Sequence, residues 1–229
     1  SAKIAEIQGI VAELDEDAKA EALERERLAA LEAESRKELS SVDAARDARS
    51  RALKSMNAQI KSRNDSIAKL KREAAALEKL VADLRQAMSD LPPTGGQAFE
   101  KVKGRLAWPV AGQIAARFGQ SRGGGLKWNG VMIESPRGTA VKAIYDGRVA
   151  YGDWLPGMGL LLIVDHGGYM SLYAHNEQLY KAVGDRVKAG EAVATVGDSG
   201  GRSKPGLYLE IRRGAKPVDP VPWFRRSSP

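Results

Sequence analysis

Two histidines, His166 and His175, and no cysteine leave this 229-residue chain few ways to bind a metal or activate a nucleophile. Disulfides and thiolate metal sites are excluded. His175 closes the run LYAH, and His166 sits in the turn-like DHGG. A catalytic zinc centre wants imidazole or carboxylate donors and one open position. A site built from His175 with Asp165 or Glu210 is conceivable, but no short spacing points to one. Ser199 in GDSGG has the surroundings of a protease nucleophile, yet a triad is defined by geometry and the same residues make a tight turn. The glycine-rich stretch SRGGGLKWNG lacks the Gly-Lys-Ser/Thr ending and following helix of a phosphate loop. These residues therefore point to no metal and no cofactor. His166 reads as an exposed turn residue. His175 reads either as a structural histidine with a nearby hydrogen bond or as a contact to a partner.

The elements that must position these residues fall into two regimes. All four Trp, six Tyr and three Phe lie at or beyond Phe99, and every Pro lies beyond residue 90. The first ninety residues are rich in Ala, Leu, Glu, Lys and Arg and carry 17 basic and 18 acidic side chains; the remainder carries 19 and 11. A basic C-terminal region suits an anionic partner such as the bacterial wall, or simply keeps the protein soluble. No apolar run reaches the roughly 18 residues that span a bilayer. SAKIAEIQGIVAELDEDAK does not read as a signal peptide, so export would rest on a processed or trimmed terminus.

Residues 1–91 read as a helical, coiled-coil arm. Ile67, Leu70, Ala74, Leu77, Val81, Leu84, Met88 and Leu91 follow the alternating three-four spacing of a seam. Carried backward, the same register meets Arg63, Arg49 and Arg46, so the seam is strong only near its C-terminal end. Residues 1–34 carry 4 basic and 10 acidic side chains and residues 35–90 carry 13 and 8, which favours a hairpin turning near 35–41. One uninterrupted helix with a skip in its register is the equal alternative. A marginal seam of this length needs a surface to cover it: another copy, the C-terminal domain, or a partner. Pro92 stops the helix and residues 92–104 read as a linker.

From residue 105 to 226 the hydrophobic period becomes two. VMIES, AVKAIYDGRVAYG, LLLIVDHG, YMSLYAH, AVATVGDSG and LYLEIRRG read as short strands between Gly and Asp-Gly turns, an all-β sheet domain. The order of blocks carries a resemblance. WPVAGQIAARFG, GTAVKAIYDGRVAYG, GLLLIVDHGGYMSLYAH, VGDRVKAGEAVATVGDSG and LYLEIRRGAKPVDPVPW resemble in turn the segments of a LytM (peptidase M23) domain. With the helical arm before it, the chain resembles the murein hydrolase activators of the EnvC type. That implies an α + β multidomain protein, long coiled-coil helices followed by a LytM domain of the duplicated-hybrid-motif type.

In the active zinc endopeptidases of that family the metal is held by His and Asp of His-x-Gly-x-Asp and by the second His of His-x-His. Here Trp128 stands at the first position and Met132 at the Asp, while Gly206 and Tyr208 stand at the paired histidines. Of the expected set only His175 remains. Trp and Met cannot replace His and Asp as zinc donors. The resemblance therefore implies a domain that is not an enzyme and that binds through its old cleft. The candidate groove comprises Trp128, Met132, His175 and Tyr208, with a basic rim of Arg122, Lys127, Arg202, Lys204 and Arg212. Trp128 and Met132 are open to a second reading, as side chains that plug a core gap.

What the resemblance implies for function is a periplasmic protein recruited to the division septum, with no nucleic-acid partner. It would dock through its arm on FtsX of the FtsEX complex and switch on a zinc N-acetylmuramoyl-L-alanine amidase that splits septal peptidoglycan. The family's arm is longer than this one. A further expectation concerns Leu70, Leu77, Val81, Leu84 and Met88, as a docking helix or as one that lies over the groove and keeps it closed. The competing readings are a peptidoglycan-binding scaffold and a LytM-type zinc endopeptidase.

Overall fold

The computed structural model describes residues 2–88, 96–225 and 229. The expected stop at Pro92 and the first part of the linker lie outside the described residues. Helix α1 (Ala2–Met88) runs through 35–41 without a break, so the hairpin gives way to the alternative of a single helix. The reason is local. SRKELSS contains neither Gly nor Pro, and the Ser41 hydroxyl donates to the Glu38 carbonyl within the helix instead of opening a turn. The chain divides into two compact units, residues 1–63 and 64–229.

In the first unit α1 is solvated on every described side. Leu14, Leu23 and Leu39 are all exposed, and the ordering comes from local pairs such as Lys19–Asp15 at 2.8 Å and Arg25–Glu21 at 3.3 Å. Such i,i+4 pairs each contribute only a few tenths of a kcal/mol, about 0.3–0.5.

The second unit contains the end of α1, the short helix α2 (Gly96–Lys101) and a largely antiparallel sheet. Its central strands are β4 (Val131–Glu134), β6 (Gly147–Leu155), β7 (Gly159–Asp165), β8 (Tyr169–Leu179) and β11 (Gly206–Arg213). β1 (Gln113–Ala116) and β9 (Arg186–Val187) complete the order β1-β4-β11-β8-β7-β6-β9. β5 (Ala140–Lys142) pairs with β10 (Ala192–Val196), which also joins β8, and β12 (Lys216–Val218) pairs with β11. β2 (Ser121–Gly123) and β3 (Leu126–Lys127) form a separate hairpin.

Strands β7 and β11 are buried on both faces, which is why LLLIVD and LYLEI read as continuous rather than alternating apolar runs. Successive side chains still go to opposite faces. Leu162 and Val164 of β7, Tyr173 of β8, Leu207, Leu209 and Ile211 of β11 and Val131 and Ile133 of β4 enter one core. Leu161, Ile163, Met170, Leu172, Ala174, Tyr208 and Met132 enter the other. The first core is closed by β5, β10 and the aromatic residues Phe99, Trp223 and Phe224. Residues 64–88 of α1 close the second, through Leu77 and Val81 with Leu80 and Leu84 beside them.

Phe99 makes the end of the linker a structural element. It is fully buried and stacks on His166 at 4.8 Å between centroids, with Tyr145, Tyr169 and Trp223 around it. His166 is accordingly not the exposed turn residue expected from DHGG. Its Nδ1 donates to the Asp146 carbonyl at 2.7 Å, and its Nε2 accepts from Ser171 Oγ at 2.8 Å. Burial pushes its pKa down to about 4.

A candidate partner groove beneath a helix

The cleft is built on adjacent strands. β4 and β11 pair with Met132 opposite Tyr208, and β8 places Ala174 on the other side of Tyr208. Trp128, just before β4, has its ring 5.9 Å from that of Tyr208, and His175, just after Ala174, has its ring 6.5 Å away. Trp128, Met132, His175 and Tyr208 thus converge in space although they come from three separate segments.

His175 adopts φ of 66°, a conformation uncommon for a residue with a side chain. Its amide donates to the Met158 carbonyl and its Nδ1 donates to the Ser199 carbonyl, each at 2.8 Å. Nε2 is therefore the acceptor of a neutral ring. Burial, with help from nearby Arg202 and Arg122, lowers its pKa to about 4. Ser199 is committed to structure as well: its hydroxyl accepts from the Leu160 amide and donates to the Asn176 carbonyl.

The donor set does not fit zinc. Tyr208 donates its hydroxyl to Glu210 Oε2 at 2.6 Å, and burial together with the Glu210 charge holds its pKa well above the usual phenol value. It offers no phenolate. Met132 brings a soft thioether and Trp128 no lone pair at all. Among the described residues no three His, Asp or Glu side chains converge in a way that could hold a metal ion.

Arg212 departs from the expected basic rim. It is fully buried on the same face as Tyr208 and Glu210. Its Nε bonds Glu210, its Nη1 donates to Glu78 Oε2 at 2.9 Å and to the Ala215 carbonyl at 3.0 Å, and its Nη2 donates to Glu78 Oε1 at 2.6 Å. Burial alone would depress the guanidinium, but the two carboxylates raise its pKa above the ordinary value. Burial raises Glu210. A fork of this kind is the strong form of carboxylate recognition, and here the carboxylate comes from α1.

α1 lies over this face along the predicted stripe. Leu77 and Val81 are buried, Leu70, Leu80 and Leu84 are half-buried, and Met88 ends the helix. Ile67 meets the β2–β3 turn so closely that a Cβ at Gly124 would fall 2.8 Å from its side chain. Glu73 is set against Gly157 in the same way, with a Cβ there 2.4 Å from its carboxyl carbon. Met132 and Tyr208 thus lie under the helix, while Trp128 and Arg202 stay half-buried and Lys127 and Lys204 exposed. Sequence reasoning missed Glu78, Leu80 and Met158, and considered Glu210 only as a conceivable metal donor. Only Leu80 carried a signal, one turn from Leu77 and Leu84; the Glu78–Arg212 pairing spans 134 residues.

The Peptidase family M23 profile matches residues 126–220. The murein hydrolase activator EnvC of Escherichia coli is 47% identical over 134 residues, 58% of this chain and 32% of that protein. Over these residues the β domain is similar to a peptidase family M23 domain and to the matching part of EnvC. The murein hydrolase activator NlpD of Escherichia coli is 41% identical over 116 residues, covering 50% of this chain and 30% of that one. A putative peptidase M23 from Pseudomonas aeruginosa shares the fold, with a TM-score of 0.52 and 23% identity over 65% of this chain and 60% of that one. The chain thus spans about a third of the length of the two activators it matches. Among the described residues no helix is long and apolar enough to cross a membrane.

Proposed function

We propose that this EnvC-like chain is a non-catalytic activator of peptidoglycan hydrolysis, acting on periplasmic zinc N-acetylmuramoyl-L-alanine amidases. The observation that carries the reading is the cleft itself: Trp128, Met132 and Tyr208, which the resemblance aligns with the family's metal positions, come together there as a surface suited to binding rather than hydrolysis. Aromatic and aliphatic side chains flanked by arginines make the composition of a protein-binding hot spot. The names of the relatives support the same role.

Residues 64–88 of α1 act in this reading as a cover. Burying Leu77 and Val81 contributes about 1.5–3 kcal/mol each, and the Glu78 fork on Arg212 adds a charge-assisted pair. The amidase gains access when the helix leaves, and the arm before it, docked on FtsX of the FtsEX complex at the septum, supplies the pull. Dye release from labelled sacculi by a purified periplasmic zinc amidase tests this. The full chain releases nothing alone and stimulates the amidase weakly, and Leu77→Asp/Val81→Asp, which expels the helix, stimulates strongly. Release by the protein alone would restore the peptidase reading. Salt-sensitive pelleting with sacculi without any effect on the amidase would favour a peptidoglycan-binding scaffold.

A further inference from the structure

The cleft that lacks zinc donors does not lack positive charge. Arg122, in β2, lays its guanidinium over the Trp128 ring, 4.4 Å from the centroid. Arg202, in the loop before β11, is half-buried, and its Nε donates to the Lys204 carbonyl at 3.3 Å. The Trp128 ring under Arg122 lies 5.9 Å from that of Tyr208, which lies 6.5 Å from His175, while the Arg202 amide donates to the carbonyl of Asp198, next to the Ser199 that holds His175, so both arginines border the Trp128–Tyr208–His175 cleft. Among the described residues neither has a carboxylate at ion-pair distance; Glu134, the acid whose charge reaches Arg202, is paired at 4.0 Å with Lys204. Two half-buried cations without a counter-charge are an unbalanced arrangement, relieved when an anion enters.

Beside them stands an acceptor. With Nδ1 held by the Ser199 carbonyl, the largely buried His175 ring keeps Nε2 as a lone pair, 3% of the residue being exposed. Lys204, whose carbonyl Arg202 holds, also lines an open recess of about 330 Å³ together with Gln113, Glu134, Ser135, Pro136 and Pro205. The Ser135 hydroxyl is buried there without a hydrogen-bond partner.

We propose that Arg122, Arg202 and His175 form a receptor for the free C-terminus of a peptide. The carboxylate lies between the guanidiniums, the last amide N–H donates to His175 Nε2, and the preceding residues extend toward the recess. An acidic side chain on a folded helix would satisfy the arginines only, because its backbone N–H groups are already used. A chain terminus carries a carboxylate and a free amide donor one Cα apart, which is the pairing these residues demand. The site asks nothing of an amidase and stands whether or not the activator reading holds.

Isothermal titration of the full chain with N-acetyl-D-alanyl-D-alanine, its L,L counterpart, the C-terminal amide of each, and N-acetylglutamic acid α-amide tests the assignment. The free acids bind with Kd of about 1 mM or tighter, and their amides bind at least about tenfold more weakly. Arg122→Gln and Arg202→Gln each weaken the free acids about tenfold with unchanged melting curves. A preference for the D,D form assigns the site to wall-type stem peptides, and equal binding of D,D and L,L assigns it to peptide termini in general; both uphold it. Equal binding of acid and amide overturns it, as does the absence of saturation by about 10 mM. Glutamate α-amide binding as tightly as the free termini, or both arginine variants binding like the parent, overturns it too.

Discussion

Helix α1 offers two stretches of one element with similar composition and opposite fates. Residues 2–63 expose leucines throughout, with Leu23 at 69% and Leu39 at 62%, whereas Leu77 and Val81 farther along are at 3% and 0%. Helix propensity is comparable in both. What differs is the regularity of the apolar stripe: Arg46, Arg49 and Arg63 break it in the first, and nothing breaks it from Ile67 to Leu84 in the second. A coiled-coil seam and a stripe that docks on a sheet use the same spacing, so the pattern announces a buried face without naming what buries it.

The largest effect that sharpens this contrast is expected at the helix–sheet fork. Arg212→Met leaves Glu210 buried without a cation and costs about 3–5 kcal/mol, read as a lowered urea midpoint of the β domain. A midpoint unchanged from the parent would remove the fork from the account of the second unit. Phe99→Ala opens a cavity among Tyr145, His166, Tyr169 and Trp223 and costs about 3–4 kcal/mol in the same assay. If α2 were a mere spacer, that variant would melt like the parent.

Acid should act on the second unit in the same order of size. His166 and His175 have folded-state pKa values lowered to about 4 from 6.5. Between those values the unfolded chain binds protons that the folded one refuses, so stability is full above about pH 6.5 and falls as pH drops toward 4. The loss is at most about 3 kcal/mol per imidazole. Glu210, raised by burial, works in the opposite direction but contributes equally with and without His166. The stability–pH slope of His166→Asn should therefore be shallower than the parent's by one imidazole, and parallel slopes would contradict it.

Smaller effects separate the stretches of α1 themselves. Leu77→Ala weakens docking by about 2 kcal/mol, seen as faster amide exchange across 64–88 while β7 and β8 stay protected. Leu39→Ala changes stability by less than about 0.5 kcal/mol, and a larger loss there would reveal a partner on the exposed stretch.

Much of the fold was legible because its signals are local. The change of period beyond residue 105, the Gly turns and the block order led to the β domain, and the three-four spacing marked Leu70, Leu77, Val81 and Leu84. The hairpin near 35–41 was suggested by charge segregation, but long-range charge attraction is weak and screened, whereas an uninterrupted run of helix formers is decided residue by residue. His166 was misplaced for a related reason. DHGG does make a turn, but an aromatic residue 67 positions earlier in the chain covers it.

The sequence alone determined the two regimes of the molecule, the strand pattern and the scarcity of zinc donors, with two histidines and no cysteine, because residue type and near-neighbour spacing suffice for each. Tertiary structure alone decided that the seam covers the domain's own sheet and that Arg212 is buried in a fork with Glu78 and Glu210. It also decided that the His175 ring, held by the Ser199 carbonyl, stands beside Tyr208. Those outcomes depend on which faces the strands turn toward α1 and on pairings across 134 residues, where the balance of burial, charge and desolvation is struck in space rather than along the chain.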